Sequence, residues 1–228
     1  MDHANVQRIA KKTLEYLKKN VTAGMLESDV VKIAENFMIE NGITSFWYYG
    51  IGAFVFTGER TVLSVSGRDY IPTNTIIQSN DIITIDLSPQ VGGVWGDYAR
   101  TLVIQNGEVI DTNSVINFEH KSGLDFEEML HETLLKIAYP DMTFEELYFL
   151  MNDIIKENDF VNLDFLGNLG HSIESNIESR KYIEKGNCMR LQDAMMFTFE
   201  PHIKKSSGKY GYKMENIYYF SNGLLLQL

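Results

Sequence analysis

Apolar residues recur at helical spacing twice near the amino end, as Val6, Ile9, Leu14 and Leu17 within residues 4 to 20, and as Val31, Ala34, Phe37 and Met38 within residues 28 to 41. Steps of three and four predict two amphipathic helices, the second with Ser28 as N-cap and Gly42 as its stop. The period then changes. The runs SFWYYG, AFVFTG and TVLSVSG are aromatic and β-branched and read as strands, ahead of the stretch DIITIDLSPQVGGVWGDYARTLVI, which reads as a hairpin. The second half repeats the plan. A helix over 124–138 has Phe126, Leu130, Leu134 and Ile137 on one face, and another over 143–157 opens on a capping box, Thr143 with Glu146. Extended segments and a second hairpin, MMFTFEPHIKKSSGKYGYKMENIYYF, follow. Two helices, then strands, then a hairpin, twice over, predict an α+β chain with an internal architectural repeat but no residue-level identity. With only four prolines and no low-complexity linker, residues 1–228 read as one domain.

Both hairpins carry acidic pairs. Asp86 and Asp97 are symmetric about Val91-Gly92, and Glu200 and Glu215 about Ser207-Gly208. Turns at those points would set each pair directly opposite across two strands, with Cβ atoms roughly 5 Å apart. Like charges so placed repel, and an ionised carboxylate in an apolar strand is costly without a partner. Two pairs built alike point to a multivalent cation among the four carboxylates. His171, in the glycine-punctuated run GNLGHSIE, is a candidate fifth ligand.

Composition narrows the partners. A net charge of −11 argues against nucleic acid or an anionic membrane, while 44% hydrophobic and 22% charged residues are ordinary for a globular protein. The single Cys188 excludes an internal disulfide and fits a reducing compartment. The start MDHANVQRIAKK lacks a signal-peptide core, and no run approaches the ~18 apolar residues of a membrane span. A soluble cytoplasmic protein is expected.

The order Asp86, Asp97, His171, Glu200, Glu215, in the contexts TIDLSP, GDYART, LGHSIE, FTFEPH and MENIYYF, resembles the pita-bread metallopeptidases: methionine aminopeptidase, Xaa-Pro aminopeptidase and prolidase, with creatinase as a non-peptidase relative. The phrases NDIITIDLSP and WGDYART are most similar to the creatinase and prolidase branch, and the length is similar to methionine aminopeptidase. The resemblance implies two pseudo-symmetric helix-plus-sheet halves around a central metal site. It implies that these five residues hold two divalent ions, with Asp97 and Glu215 bridging and Glu200 handling protons. It also implies a peptide substrate, cleaved at its amino terminus or as a dipeptide. The donor types suit manganese or cobalt, and zinc or iron are compatible. A homodimer is left open.

The departures from the family pattern are specific. Members usually keep histidines at the positions that fall here at or beside Asp69, seventeen residues before Asp86, and on Glu178, seven after His171. A donor that steadies an oxyanion is worth about 3 kcal/mol, so their loss predicts altered substrate or rate. Candidate replacements are His202, two positions after Glu200 and on the same side of a strand, and the Tyr70 hydroxyl. Glu178 and Arg180, beside Asp69, are candidates to read a substrate's amino or carboxylate end. Arg100 is expected to order its hairpin, and His120 and His131 to take surface or helix-face roles. The rival readings are a non-catalytic homologue that binds a peptide or protein, and a creatinase-like hydrolase of a small C–N bond.

Overall fold

The computed structural model describes residues 1–228. The amino-terminal half is built from α1 (His3–Asn20) and α2 (Glu27–Glu40) packed on an antiparallel sheet. That sheet has the order β2 (Ala53–Thr57), β3 (Asp81–Leu87), β6 (Tyr98–Gln105), β7 (Glu108–Ile110). A small sheet of β1 (Ser45–Phe46), β4 (Pro89–Val91) and β5 (Val94–Trp95) extends the first hairpin. In the second half, α3 (Phe118–Ile137) and α4 (Phe144–Glu157) cover two three-stranded sheets. One is β8 (Phe160–Asn162), β10 (His202–Lys205) and β11 (Gly211–Lys213); the other is β9 (Phe197–Phe199), β12 (Asn216–Ser221) and β13 (Leu224–Gln227).

The repeat is visible in the packing. The interior forms two hydrophobic clusters of 22 buried residues each, one within the first half and one centred on the second half that also takes in Ile82 and Val103 from the first sheet. Where they meet lies a third, small cluster of Trp47, Trp95, Ile173, Met196 and Ile217. No helix is long and apolar enough to cross a membrane.

Three local expectations change. The second helix is not capped by Ser28: it begins at Glu27, the Asp29 carboxylate accepts from the Leu26 N–H, and the Ser28 hydroxyl turns to Asn74. The third helix starts at Phe118, because the Asn117 side chain accepts from the His120 N–H and caps it there. The run TVLSVSG is no strand. Gly58, at φ +59°, turns the chain out of β2 into a 3-10 turn over Gly58–Val62, and Thr61 Oγ1 donates to the Gly58 carbonyl. The Thr143–Glu146 capping box forms as expected.

The first hairpin differs in register. Its turn is Gly92-Gly93, at φ +57° and +81°, the two left-handed residues a tight hairpin needs, closed by Val91 opposite Val94. Asp86 therefore faces Ala99, and Asp97 lies one diagonal step away on the same face. The second hairpin has the expected register: Phe199 pairs with Asn216 and His202 with Lys213, which sets Glu200 across from Glu215.

Candidate metal centre and active site

The five candidate donors come from both halves. Asp86 is on β3, and Asp97 sits between β5 and β6. His171 is in an isolated bridge with Tyr182, Glu200 lies between β9 and β10, and Glu215 lies between β11 and β12, bridged to Ala99 of the first hairpin. Their ligating atoms form two groups, each within 4.8 Å: Asp97, His171, Glu215 and Asp86, Glu200, Glu215. Asp97, His171 and Glu215 are all buried.

The surrounding chain fixes these groups through backbone contacts. Gln7 of α1 clasps Asp97 from both sides: its Nε2 donates to the Asp97 carbonyl at 2.7 Å, and its Oε1 accepts the Asp97 N–H at 2.8 Å. Arg100, as expected, orders the hairpin, and it also ties the two halves by donating to the Ala99 and Glu215 carbonyls and to Asn216 Oδ1. His171 is locked to β9, its carbonyl accepting from Thr198 N–H and its own N–H donating to Thr198 Oγ1. Gly170 permits that approach. Its φ is +142°, and a Cβ there would lie 2.3 Å from the Thr198 carbonyl oxygen.

The electrostatics point to a cation. His171 Nδ1 donates to the Ser172 carbonyl, so Nε2 carries a lone pair aimed at Asp97 Oδ2, 3.5 Å away, and Glu200 Oε1, 3.8 Å away. Burial lowers its pKa to about 4, which keeps it neutral and able to ligate. Asp97 Oδ2 and both oxygens of Glu215 are buried with no hydrogen-bond partner. Burial first, then the neighbouring carboxylates, raise Asp97 and Glu215 well above the ordinary carboxylate range. Oriented, partnerless oxygens around an imidazole lone pair fit a divalent metal ion by the chemistry of the donor set.

One member of the centre escapes the sequence pattern. Lys213 Nζ lies 2.5 Å from Asp86 Oδ2 and 3.0 Å from Glu200 Oε2. Burial works against its charge, but Asp86, Glu200 and Glu215 outweigh it and hold the ammonium well above the ordinary lysine value. Burial in turn opposes the charge on Glu200, yet Lys213 and its neighbours draw that carboxyl below its ordinary value, so Glu200 is ionised.

A cavity of about 100 Å³ opens onto these groups, walled by Trp47, Tyr48, Phe54, Phe56 and Phe165. Arg180 is on that wall, its guanidinium packed about 5 Å from the rings of Trp47, Tyr48 and Tyr182. The other sequence candidates fall elsewhere. The Tyr70 hydroxyl accepts the Val55 N–H and its ring packs on Phe54 and Phe56, so it is a core residue. Asp69 is exposed in a turn, and Glu178 is exposed in a 3-10 turn, 3.4 Å from Arg68, so neither lines the cavity. His202 does line it, but its Nε2 donates to the Thr61 carbonyl and burial lowers its pKa to about 4. It is a neutral, backbone-anchored group. His120 and His131 are on a helix face but buried, bonded to the hydroxyls of Tyr212 and Tyr218.

The family description of metallopeptidase M24 matches residues 2–222. The chain belongs to metallopeptidase family M24. This M24 chain is 27% identical over 211 residues to a methionine aminopeptidase of Helicobacter pylori, spanning 88% of this chain and 78% of that protein. It is 28% identical over 132 residues to an Xaa-Pro dipeptidase of Lactobacillus helveticus, 58% of this chain and 33% of that one. Among solved structures, an X-Pro aminopeptidase of Thermotoga maritima superposes with a TM-score of 0.80 at 21% identity, covering 98% of this chain and 58% of that chain. A methionine aminopeptidase from the same organism superposes at 0.76 and 14% identity, covering 98% and 93%. The fold is therefore the pita-bread fold. This M24 chain spans less than two thirds of the X-Pro aminopeptidase and nearly the whole of the methionine aminopeptidase.

Proposed function

We propose that this M24 chain is a metal-dependent peptidase of aminopeptidase or dipeptidase type, with Asp86, Asp97, His171, Glu200 and Glu215 as metal ligands. The observation that carries the reading is the buried, partnerless set of Asp97 Oδ2, both Glu215 oxygens and the His171 Nε2 lone pair, converging at the foot of a cavity. Residues 1–228 act as one domain in this reading, since each half alone holds an incomplete donor set. The donor types favour manganese or cobalt over zinc or iron, and two overlapping donor groups share Glu215. The exposed Cys188 thiol suits a reducing compartment such as the cytosol.

A divalent ion bound there would polarise a peptide carbonyl and make an attacking water more acidic. The chain's own residues supply the rest. Glu200, ionised and at the cavity wall, accepts the proton of the attacking water and returns it to the leaving amine. Lys213 holds Glu200 and Asp86 in place. The aromatic wall takes an apolar substrate side chain and sheds water, and the caged Arg180 faces a substrate carboxylate, which favours dipeptides and short peptides. Glu178 takes no part.

The test is a peptide-library screen on protein purified without chelator, then stripped and reloaded with manganese, cobalt, zinc or iron. Cleavage that follows the metal and disappears on chelation is expected. Metal binding without cleavage of any peptide would favour the non-catalytic, peptide-binding reading, which is also supported by the lack of the histidines that the family resemblance leads one to expect at or beside Asp69 and at Glu178.

A further inference from the structure

The two donor groups of the centre differ in what they already contain. In the group Asp97, His171, Glu215, nothing cationic is present: three carboxylate oxygens have no partner and the imidazole lone pair is directed among them. In the group Asp86, Glu200, Glu215, the ammonium of Lys213 is already placed, 2.5 Å from Asp86 Oδ2 and 3.0 Å from Glu200 Oε2. This is a built position. Lys213 ends β11 opposite His202, and alternation along the strand turns its side chain to the same face as Glu215, two residues on. The Lys213 N–H donates to Thr101 Oγ1 at 2.8 Å, and the Thr101 hydroxyl donates back to the Lys213 carbonyl at 3.1 Å, so its backbone is held against β6. The side chain is only 17% exposed, which leaves the ammonium few other places to go.

The placement of Lys213 then opposes a second ion. Paired ions in a shared carboxylate site sit about 3.5–4 Å apart and draw their oxygen ligands in to about 2 Å. An ammonium within 3.0 Å of both Asp86 and Glu200 already supplies these two carboxylates with a cation. Four carboxylates, one ammonium and one divalent ion leave a net charge of −1, and a second divalent ion would make it +1, no nearer neutrality. Within the metal reading proposed above, we infer that Lys213 takes the place of the second ion, so that the centre binds one divalent ion tightly, at Asp97, His171 and Glu215 with Glu200 alongside. A second ion enters only where Lys213 is displaced.

The experiment counts ions instead of turnover. Full-length protein, stripped with chelator and titrated with manganese, is followed by calorimetry and metal analysis after gel filtration, and by electron paramagnetic resonance. Expected for the wild type is one tight ion per chain with an uncoupled manganese signal, any second ion being weaker by at least about a hundredfold, the upper range for groups that tune a metal site. Lys213→Met should bind two ions of similar affinity and give an exchange-coupled signal. Two comparable ions in the wild type, or a folded Lys213→Met that still takes one, would overturn the inference while leaving the metal reading standing. No ion in the wild type would overturn both. Should Lys213→Met fail to fold, Lys213→Gln keeps the length and polarity without the charge and is expected to give the same second ion, and the wild-type count alone remains decisive.

Discussion

Asp97→Asn should stabilise the metal-free protein and yet remove most of the stability that metal confers. The Asp97 and Glu215 acceptor atoms lie within 4.8 Å of one another in a buried site, and at that separation two full charges repel by about 3.5 kcal/mol with an effective dielectric near 20. Burial first, and then this repulsion, raise both carboxyls well above their ordinary range, so the folded protein relieves part of the penalty by holding a proton. Each unit of that displacement corresponds to about 1.4 kcal/mol. An amide at position 97 removes the repulsion, and it can donate a hydrogen bond to the His171 lone pair 3.5 Å away or to Glu215. The net gain expected is about 1.5–3 kcal/mol, the range for a hydrogen bond to a charged group. For a chain of this size that is roughly 3–12 °C in Tm. With manganese at a hundred times its Kd the wild type should gain about 2.7 kcal/mol, and the variant less than half of that.

Thermal melts of both proteins, with chelator and with manganese, measure the two effects separately, and pH gives the sign. A carboxyl whose folded pKa is raised binds protons more tightly folded than unfolded, so its penalty is full above the folded pKa and fades as pH falls toward the ordinary carboxylate value. The advantage of the Asp97→Asn variant in chelator should therefore be largest above the raised folded pKa and shrink as pH falls toward the ordinary carboxylate range. The buried neutral histidines His131 and His202, with pKa values lowered to about 3 and about 4, destabilise both proteins equally as pH falls below about 6.5 and cancel in the comparison, whereas His171, 3.5 Å from position 97, does not. A chelated variant less stable than wild type by more than about 1 kcal/mol, or one that keeps the full manganese shift, would refute the reasoning, since either result means the carboxylate is already satisfied.

Glu200→Gln should leave folding intact and lower kcat by at least about a hundredfold in any peptidase assay, as expected of a lost general base; wild-type turnover would move the proton transfer elsewhere. Gly170→Ala should cost about 3 kcal/mol or more in a denaturant titration, because a Cβ at φ +142° and 2.3 Å from the Thr198 carbonyl forces β9 away from His171. Gln7→Leu leaves the buried N–H and carbonyl of Asp97 without partners and should weaken manganese binding about 10- to 100-fold by calorimetry. Arg180→Met should raise KM for dipeptides about tenfold or more, the scale of one charge-assisted contact, and spare peptides with an amidated carboxyl end, while Glu178→Gln changes neither.

The helices, the repeat and the four candidate carboxylate donors are legible in the sequence because each rests on a local signal: apolar residues at steps of three and four, Thr143 with Glu146, carboxylates inside apolar strands. What is not legible has non-local causes. A first hairpin centred on Val91-Gly92 falls one residue short because Gly92 and Gly93 are both left-handed and together make the turn; centring on Gly92-Gly93 shows Asp86 and Asp97 as diagonal. Spacing from His171 draws attention to Glu178, but the 3-10 turn over Ile177–Ser179 carries Glu178 outward and brings Arg180 in over Trp47 and Tyr182. Lys213 is within reach, since alternation sets it on the face of Glu215, yet a lysine in KYGYKMEN reads as a solvated strand edge until the pairing of β11 with β10 buries it. The same alternation places His202 on that face, and only the fold reveals that Thr61 has claimed its Nε2. A site assembled from two half-chains thus shows its ligands in each half's pattern, while the groups that compete for those ligands emerge only where the halves meet.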